Sequence, residues 1–130
     1  MGNCMPLEAE SVYGAVTQVI TLNCEADAAI GELVRVSLTE DEKVEVATDN
    51  SLVNPVIGRI RAKPAPTRAE VVLRGVITVD PSPLKGRVYL SPTGGFTASI
   101  PTAGYMQELG YSFGNGQVHF QPEQTSILRN

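Results

Sequence analysis

The side chains that could carry chemistry are few and far apart. The single histidine, His119, stands between Val118 and Phe120 in a run that reads as a strand. A nucleophile-and-base site needs that base beside a Ser or Cys, and a lone His among strand apolars is read as a cross-strand or surface residue. The two cysteines, Cys4 and Cys24, together with one His cannot supply the ligands of a zinc site. Both are expected to be free thiols, because the N-terminus lacks the basic-then-apolar plan of an export signal and free Cys behaves as a small buried apolar group. Glu70, Asp80 and Glu108 could form the carboxylate pair of a hydrolase, yet each is equally well explained as a charge at a strand end. The acidic stretch Thr39-Glu40-Asp41-Glu42-Lys43 lacks the ligand spacing of a calcium loop and reads as a solvated hairpin tip. Thr93-Gly94-Gly95 and Gly114-Asn115-Gly116 are not phosphate cradles, since no Lys-Ser/Thr follows and no helix opens after them. No catalytic residue, no cofactor and no metal are therefore expected, and the protein is expected not to be an enzyme.

The elements that would have to position any site are short strands between many turns. With 42% hydrophobic and 18% charged residues the chain has the composition of a globular protein, far from the disordered class. Its 9 Pro and 12 Gly demand frequent turns, the mark of a sandwich or barrel. A length of 130 residues suits one domain with one modest core. The net charge of -4, with no window rich in Lys and Arg, leaves nothing from which to build a phosphate-binding stripe, so nucleic acid is not an expected partner. No apolar run approaches the length needed to cross a bilayer, and no membrane is expected either.

One pattern is written twice. Val34-Arg35-Val36-Ser37, a turn-prone stretch, Val56-Ile57-Gly58 and Val71-Val72-Leu73 are echoed by Val88-Tyr89-Leu90-Ser91, a Pro/Gly turn, Glu108-Leu109-Gly110 and Val118-His119-Phe120. The offset of about fifty residues is that of repeats which each build one supersecondary unit. The expected fold is all-β, a small antiparallel β-sandwich or barrel built from two similar halves, about 30–75 and 85–122, within a single domain over 12–122. An extended N-terminal arm over 1–11 and a C-terminal tail over 123–130 flank it.

Residues 12–22 read as one or two strands, and 23–31 as a loop with room for one helical turn at 26–30. Lys63-Pro64-Ala65-Pro66-Thr67 is a turn or an exposed edge, since Pro cannot donate into a ladder. Residues 70–79 form the strongest strand, with Gly75 marking a bulge or a close approach. Residues 87–91 and 96–100 make a hairpin, and 105–111 and 117–120 are the last strands. The aromatic set Tyr89, Phe96, Tyr105, Tyr111, Phe113 and Phe120 is read first as packing and second as a sugar-stacking face.

The stretch Gly86-Arg87-Val88-Tyr89-Leu90-Ser91-Pro92-Thr93-Gly94-Gly95-Phe96-Thr97, with Pro101, Gly104-Tyr105-Met106, Leu109-Gly110-Tyr111 and Val118-His119-Phe120-Gln121-Pro122, resembles a module common in small structural proteins of tailed bacteriophages. The upstream part, Ala29 to Val34, Pro55 to Gly58 and Val71 to Gly75, is similar to capsid decoration (cement) proteins. The resemblance spans most of 17–122 and rests on turn glycines and strand apolars; the first dozen residues do not match it.

What the resemblance implies is a non-enzymatic homodimer or homotrimer. It would dock on the outer surface of the assembled head in the virion, after assembly in the host cytoplasm, and brace neighbouring major capsid protein subunits. Exposed apolar groups on otherwise polar ends ask for a partner, which makes Leu7, Val12, Tyr13, Ile127 and Leu128 the expected contacts with the capsid or with other subunits. The alternative is a head-fibre or tail-tip module that binds a host surface glycan through the aromatic set.

Overall fold

The structure is a computed structural model that describes residues 17–129. Those residues form an all-β molecule without a helix, an antiparallel sheet curled into a half-barrel. The strands are β1 (Gln18–Asn23), β2 (Leu33–Val36), β3 (Val44–Val46), β4 (Val56–Ala65), β5 (Arg68–Thr78), β6 (Gly86–Leu90), β7 (Phe96–Thr97), β8 (Gly104–Met106), β9 (Glu108–Gly114), β10 (Gln117–Phe120) and β11 (Ile127–Arg129).

The main sheet runs β3-β2-β4-β5-β10-β9-β6-β7, with β1 also against β5, while β8 and β11 make a separate two-stranded ribbon. The written-twice pattern has a direct counterpart in this order. β3-β2-β4-β5 and β7-β6-β9-β10 have the same internal connectivity and meet where β5 pairs antiparallel with β10. Register repeats as well: Val34 faces Gly58 and Val88 faces Gly110, and in each case the ladder shifts immediately after that pair.

The glycines are required by that packing. A Cβ on Gly58 would overlap the Val71 side chain and lie 2.7 Å from the Val72 carbonyl oxygen, and one on Gly110 would overlap the His119 carbonyl. Each half therefore needs a residue without a side chain where its third strand crosses its fourth. Ser37 and Ser91 close the same local turn in the two copies, their hydroxyls accepting from the Thr39 and Thr93 N–H at 3.3 and 3.2 Å.

Two apolar clusters hold the sheet. Leu33, Val56, Val72, Val88, Leu109 and Phe120 belong to the larger, in which Phe96 meets Phe120 edge-to-face with centroids 6.0 Å apart. Cys24, Val34, Val44, Ile60 and Val71 belong to the smaller. Phe120 is fully buried, and burial of such a side chain is worth about 1.5–3 kcal/mol. Cys24 is a buried free thiol; Cys4 lies outside the described residues.

Several local expectations change in physical detail. At 26–30 there are two tight turns, Ala28 N–H to Glu25 C=O and Glu32 N–H to Ala29 C=O, and no helix. Pro64 lies inside β4 but past the last residue that β2 pairs, so its missing N–H interrupts no ladder on that side. Gly75 marks a close approach, since a Cβ there would stand 3.0 Å from Thr17 Cα. The strand expected over 105–111 divides at Gln107 into β8 and β9, and the hairpin partner of β6 is only Phe96–Thr97. The segment read as a C-terminal tail contains β11, whose Ile127, Leu128 and Arg129 pair with Met106, Tyr105 and Gly104. The expected arm over 1–11 lies outside the described residues.

Candidate interaction surface

The residues that could carry a reaction are dispersed. His119 pairs with Val76 on one side and Tyr111 on the other. Glu70 is tied to Arg61 at 3.0 Å, Glu108 stands 3.9 Å from Arg87, and Asp80 sits in the loop after β5. Only Glu108 of the three carboxylates shares a cleft with His119. Among the described residues no group of three His, Cys, Asp or Glu is placed to hold a metal ion, and no helix is long and apolar enough to cross a membrane. The acidic tip is organised by Lys43, whose ammonium pairs with Glu25 and, at 2.9 Å, with Glu40; these bonds raise its pKa.

The aromatic set does not assemble into one face. Tyr89 and Phe120 are buried, Phe96 packs on the core, and Tyr105 is half-buried on β8. Tyr111 and Phe113 are exposed, with ring centroids 6.2 Å apart.

The feature that stands out is an apolar patch where the 49–54 loop meets the β8–β11 ribbon. Leu52, Val53, Ile127 and Leu128 are each half or more exposed. The Ser126 hydroxyl donates to the Val53 carbonyl at 2.9 Å, which sets the start of β11 against the loop, and Ile127 and Leu128 follow on the two faces of that strand. Of the residues expected to make contacts, Ile127 and Leu128 therefore fall in this patch, while Leu7, Val12 and Tyr13 lie outside the described residues. Leu52 and Val53 are additions that the sequence did not single out, since they read as ordinary members of a turn.

The scaffold beneath the patch is unusually polar. Asn50, which is buried, donates from Nδ2 to the Ala103 carbonyl at 2.8 Å and accepts the Tyr105 N–H on its own carbonyl at 2.8 Å. Gly104 makes that possible, because a Cβ there would stand 2.6 Å from Asn50 Oδ1. Arg35, 2% exposed, donates from Nη2 to the Asp49 carbonyl at 2.7 Å, while its Nε and Nη1 find no acceptor among the described residues. Burial lowers the Arg35 pKa, opposed by the carboxylates of Asp49 and Glu45. The Asp49 carboxylate in turn accepts from the Ser51 N–H at 3.0 Å and hydroxyl at 2.7 Å, which lowers its own pKa.

Gln107 locks the other side. Its Oε1 accepts the Val56 N–H at 2.8 Å, and its Nε2 donates to the carbonyls of Val56 at 2.8 Å and Glu123 at 2.7 Å. One buried side chain thus completes the ladder at the start of β4 and ties down the segment leading to β11. Side-chain bonds from Arg35, Asn50 and Gln107 thus tie the 49–54 loop, the approach to β8 and the segment leading to β11 to the core.

A second exposed apolar feature is β1, whose Val19 and Ile20 are exposed and which pairs along its length with β5, with one further bridge from Asn23 to Lys43. Comparison with protein-family models, with curated proteins and with solved structures finds no significant match to this chain.

Proposed function

We propose that this chain is a phage capsid decoration protein that binds the outer surface of the assembled head and stabilises contacts between major capsid protein subunits. The observation that carries the reading is the exposure of large apolar side chains on two joined segments, Leu52 and Val53 on the 49–54 loop and Ile127 and Leu128 on β11, held on a hydrogen-bonded frame. Contiguous apolar groups rimmed by polar ones mark surfaces that another protein covers. The resemblance of 17–122 to cement proteins supplies the kind of partner, and the net charge of -4 suits a part that must not adhere to a packaged genome.

The work in this reading is adhesion. Apolar burial supplies affinity without a reacting group, at about 25 cal/mol per Å² of apolar area removed from water, before the costs of association. Self-association as a homodimer or homotrimer would multiply weak contacts into firm attachment.

The test is co-sedimentation of purified protein with undecorated heads of its own virus. Wild-type protein pellets with the heads, whereas Leu128→Asp combined with Val53→Asp leaves it in the supernatant. Equal pelleting of the double variant overturns the assignment of the surface, and failure of the wild type to pellet overturns the function.

A further inference from the structure

The outer face of the sheet carries a second feature that adhesion does not use. β1 and β10 lie end to end along the same side of β5, so that Gln18 opposes Arg74 while Phe120 opposes Gly75. Where these two strands meet, a cleft of about 730 Å³ opens, within the range of roughly 300–1,000 Å³ typical of small-molecule sites. Its wall includes Ile57 and Leu73, both partly buried against the smaller core cluster.

The polar lining is the informative part. Gln18, Arg74, His119, Gln121, Glu123 and Gln124 all line the cleft, and none of these side chains hydrogen-bonds or ion-pairs with another described residue. The buried amides of Asn50 and Gln107, by contrast, are spent on backbone partners. Here amides, a guanidinium, an imidazole and a carboxylate converge without committing to one another.

We propose that this cleft binds a neutral saccharide. Sugar hydroxyls both donate and accept, and neighbouring pairs of them match the donor-acceptor spacing of an amide or the twin oxygens of a carboxylate. The cleft offers that mixture, and the ring of Tyr111, which also lines it and is half exposed, gives a flat surface for the apolar face of a pyranose. Charge selects against acidic ligands. Arg74 is the one Lys or Arg that lines the cleft among the described residues, it is outnumbered by Glu108 and Glu123, and the whole chain carries -4. A phosphate or a uronate would enter against that field, whereas a neutral sugar does not.

The site shares no residue with the patch of Leu52, Val53, Ile127 and Leu128, so either reading can fail without the other. The test uses an array carrying neutral and acidic oligosaccharides, followed by amide chemical-shift mapping with the best-retained glycan. The expected result is retention of a neutral glycan, with shifts centred on Arg74, Tyr111, His119 and Gln121. Tyr111→Ala and Arg74→Ala should each weaken binding by about tenfold, with melting temperature and head co-sedimentation unchanged, while Arg129→Ala should leave glycan binding as it was. Absence of any neutral ligand at about 10 mM glycan, shifts centred elsewhere, tighter binding of an acidic glycan, or wild-type affinity in Tyr111→Ala overturns the proposal.

Discussion

Removing the side chain of Gln107 tests how the two halves are joined. Gln107 is 1% exposed and makes three hydrogen bonds, to the N–H and C=O of Val56 and to the carbonyl of Glu123. In Gln107→Ala the exposed Glu123 turns its carbonyl to water, but Val56, itself 1% exposed, cannot. A buried backbone group left without a partner costs about 1–3 kcal/mol. Two such groups, with some water admitted into the space vacated, give a loss of about 3 kcal/mol. For a domain of this size that is a fall of roughly 10 °C in melting temperature. Urea unfolding followed by circular dichroism measures it, with an unchanged m-value showing that the unfolding reaction is the same.

Gln107→Glu sharpens the test. The carboxylate can accept from the Val56 N–H but has no proton for either carbonyl, and burial next to two carbonyl oxygens raises its pKa in the folded state. A raised acid pKa means that the penalty is present at neutral pH and shrinks as pH falls and the group takes up a proton. Gln107→Glu should therefore be at least as unstable as Gln107→Ala at pH 7 and recover relative to it in mild acid. Stability of Gln107→Ala within about 0.5 kcal/mol of wild type, the range of ordinary surface changes, or a pH-independent gap between the two variants, would refute the reasoning.

Gly110→Ala forces a Cβ onto the His119 carbonyl at a φ of 145° and should cost about 2 kcal/mol or more by thermal or urea unfolding; a neutral effect would mean the β9–β10 crossing is looser than described. Asp49→Asn removes a carboxylate whose pKa the folded loop lowers from 3.8. Its destabilisation should thus be full at neutral pH and vanish as acid protonates Asp49 in the wild type, read from paired urea curves between pH 7 and acid; a gap that persists in acid would contradict the sign. His119→Gln should leave head co-sedimentation unchanged, and its loss would show that the imidazole acts at the capsid surface.

How far the sequence exposes this molecule depends on the kind of interaction. Period-two alternation and turn residues announce the strands around Val71, Val88 and Val118, because each reports a local choice between a buried and a solvated face. The duplication is legible for the same reason, down to Gly58 and Gly110 at matching places. Gln107 is not, since a polar residue between Met106 and Glu108 reads as solvent-facing until β4 is brought beside it. Nor is Asn50, whose partners on Ala103 and Tyr105 lie some fifty residues away.

The candidate surface divides likewise. Ile127 and Leu128 stand out as apolar residues in a polar end, but their role in a ribbon with β8 depends on a pairing across about twenty residues that no local pattern encodes. Leu52 and Val53 join the patch only through the Ser126–Val53 bond. The cleft is invisible in the sequence because it exists only where β1 and β10 are laid end to end by β5.

The most direct measurement is an image reconstruction of heads with and without this protein. The account predicts added density on the outer surface, oriented so that the 49–54 loop and the β8–β11 ribbon face the major capsid protein. Identical maps, or bound protein with that loop and ribbon turned to solvent, would contradict it.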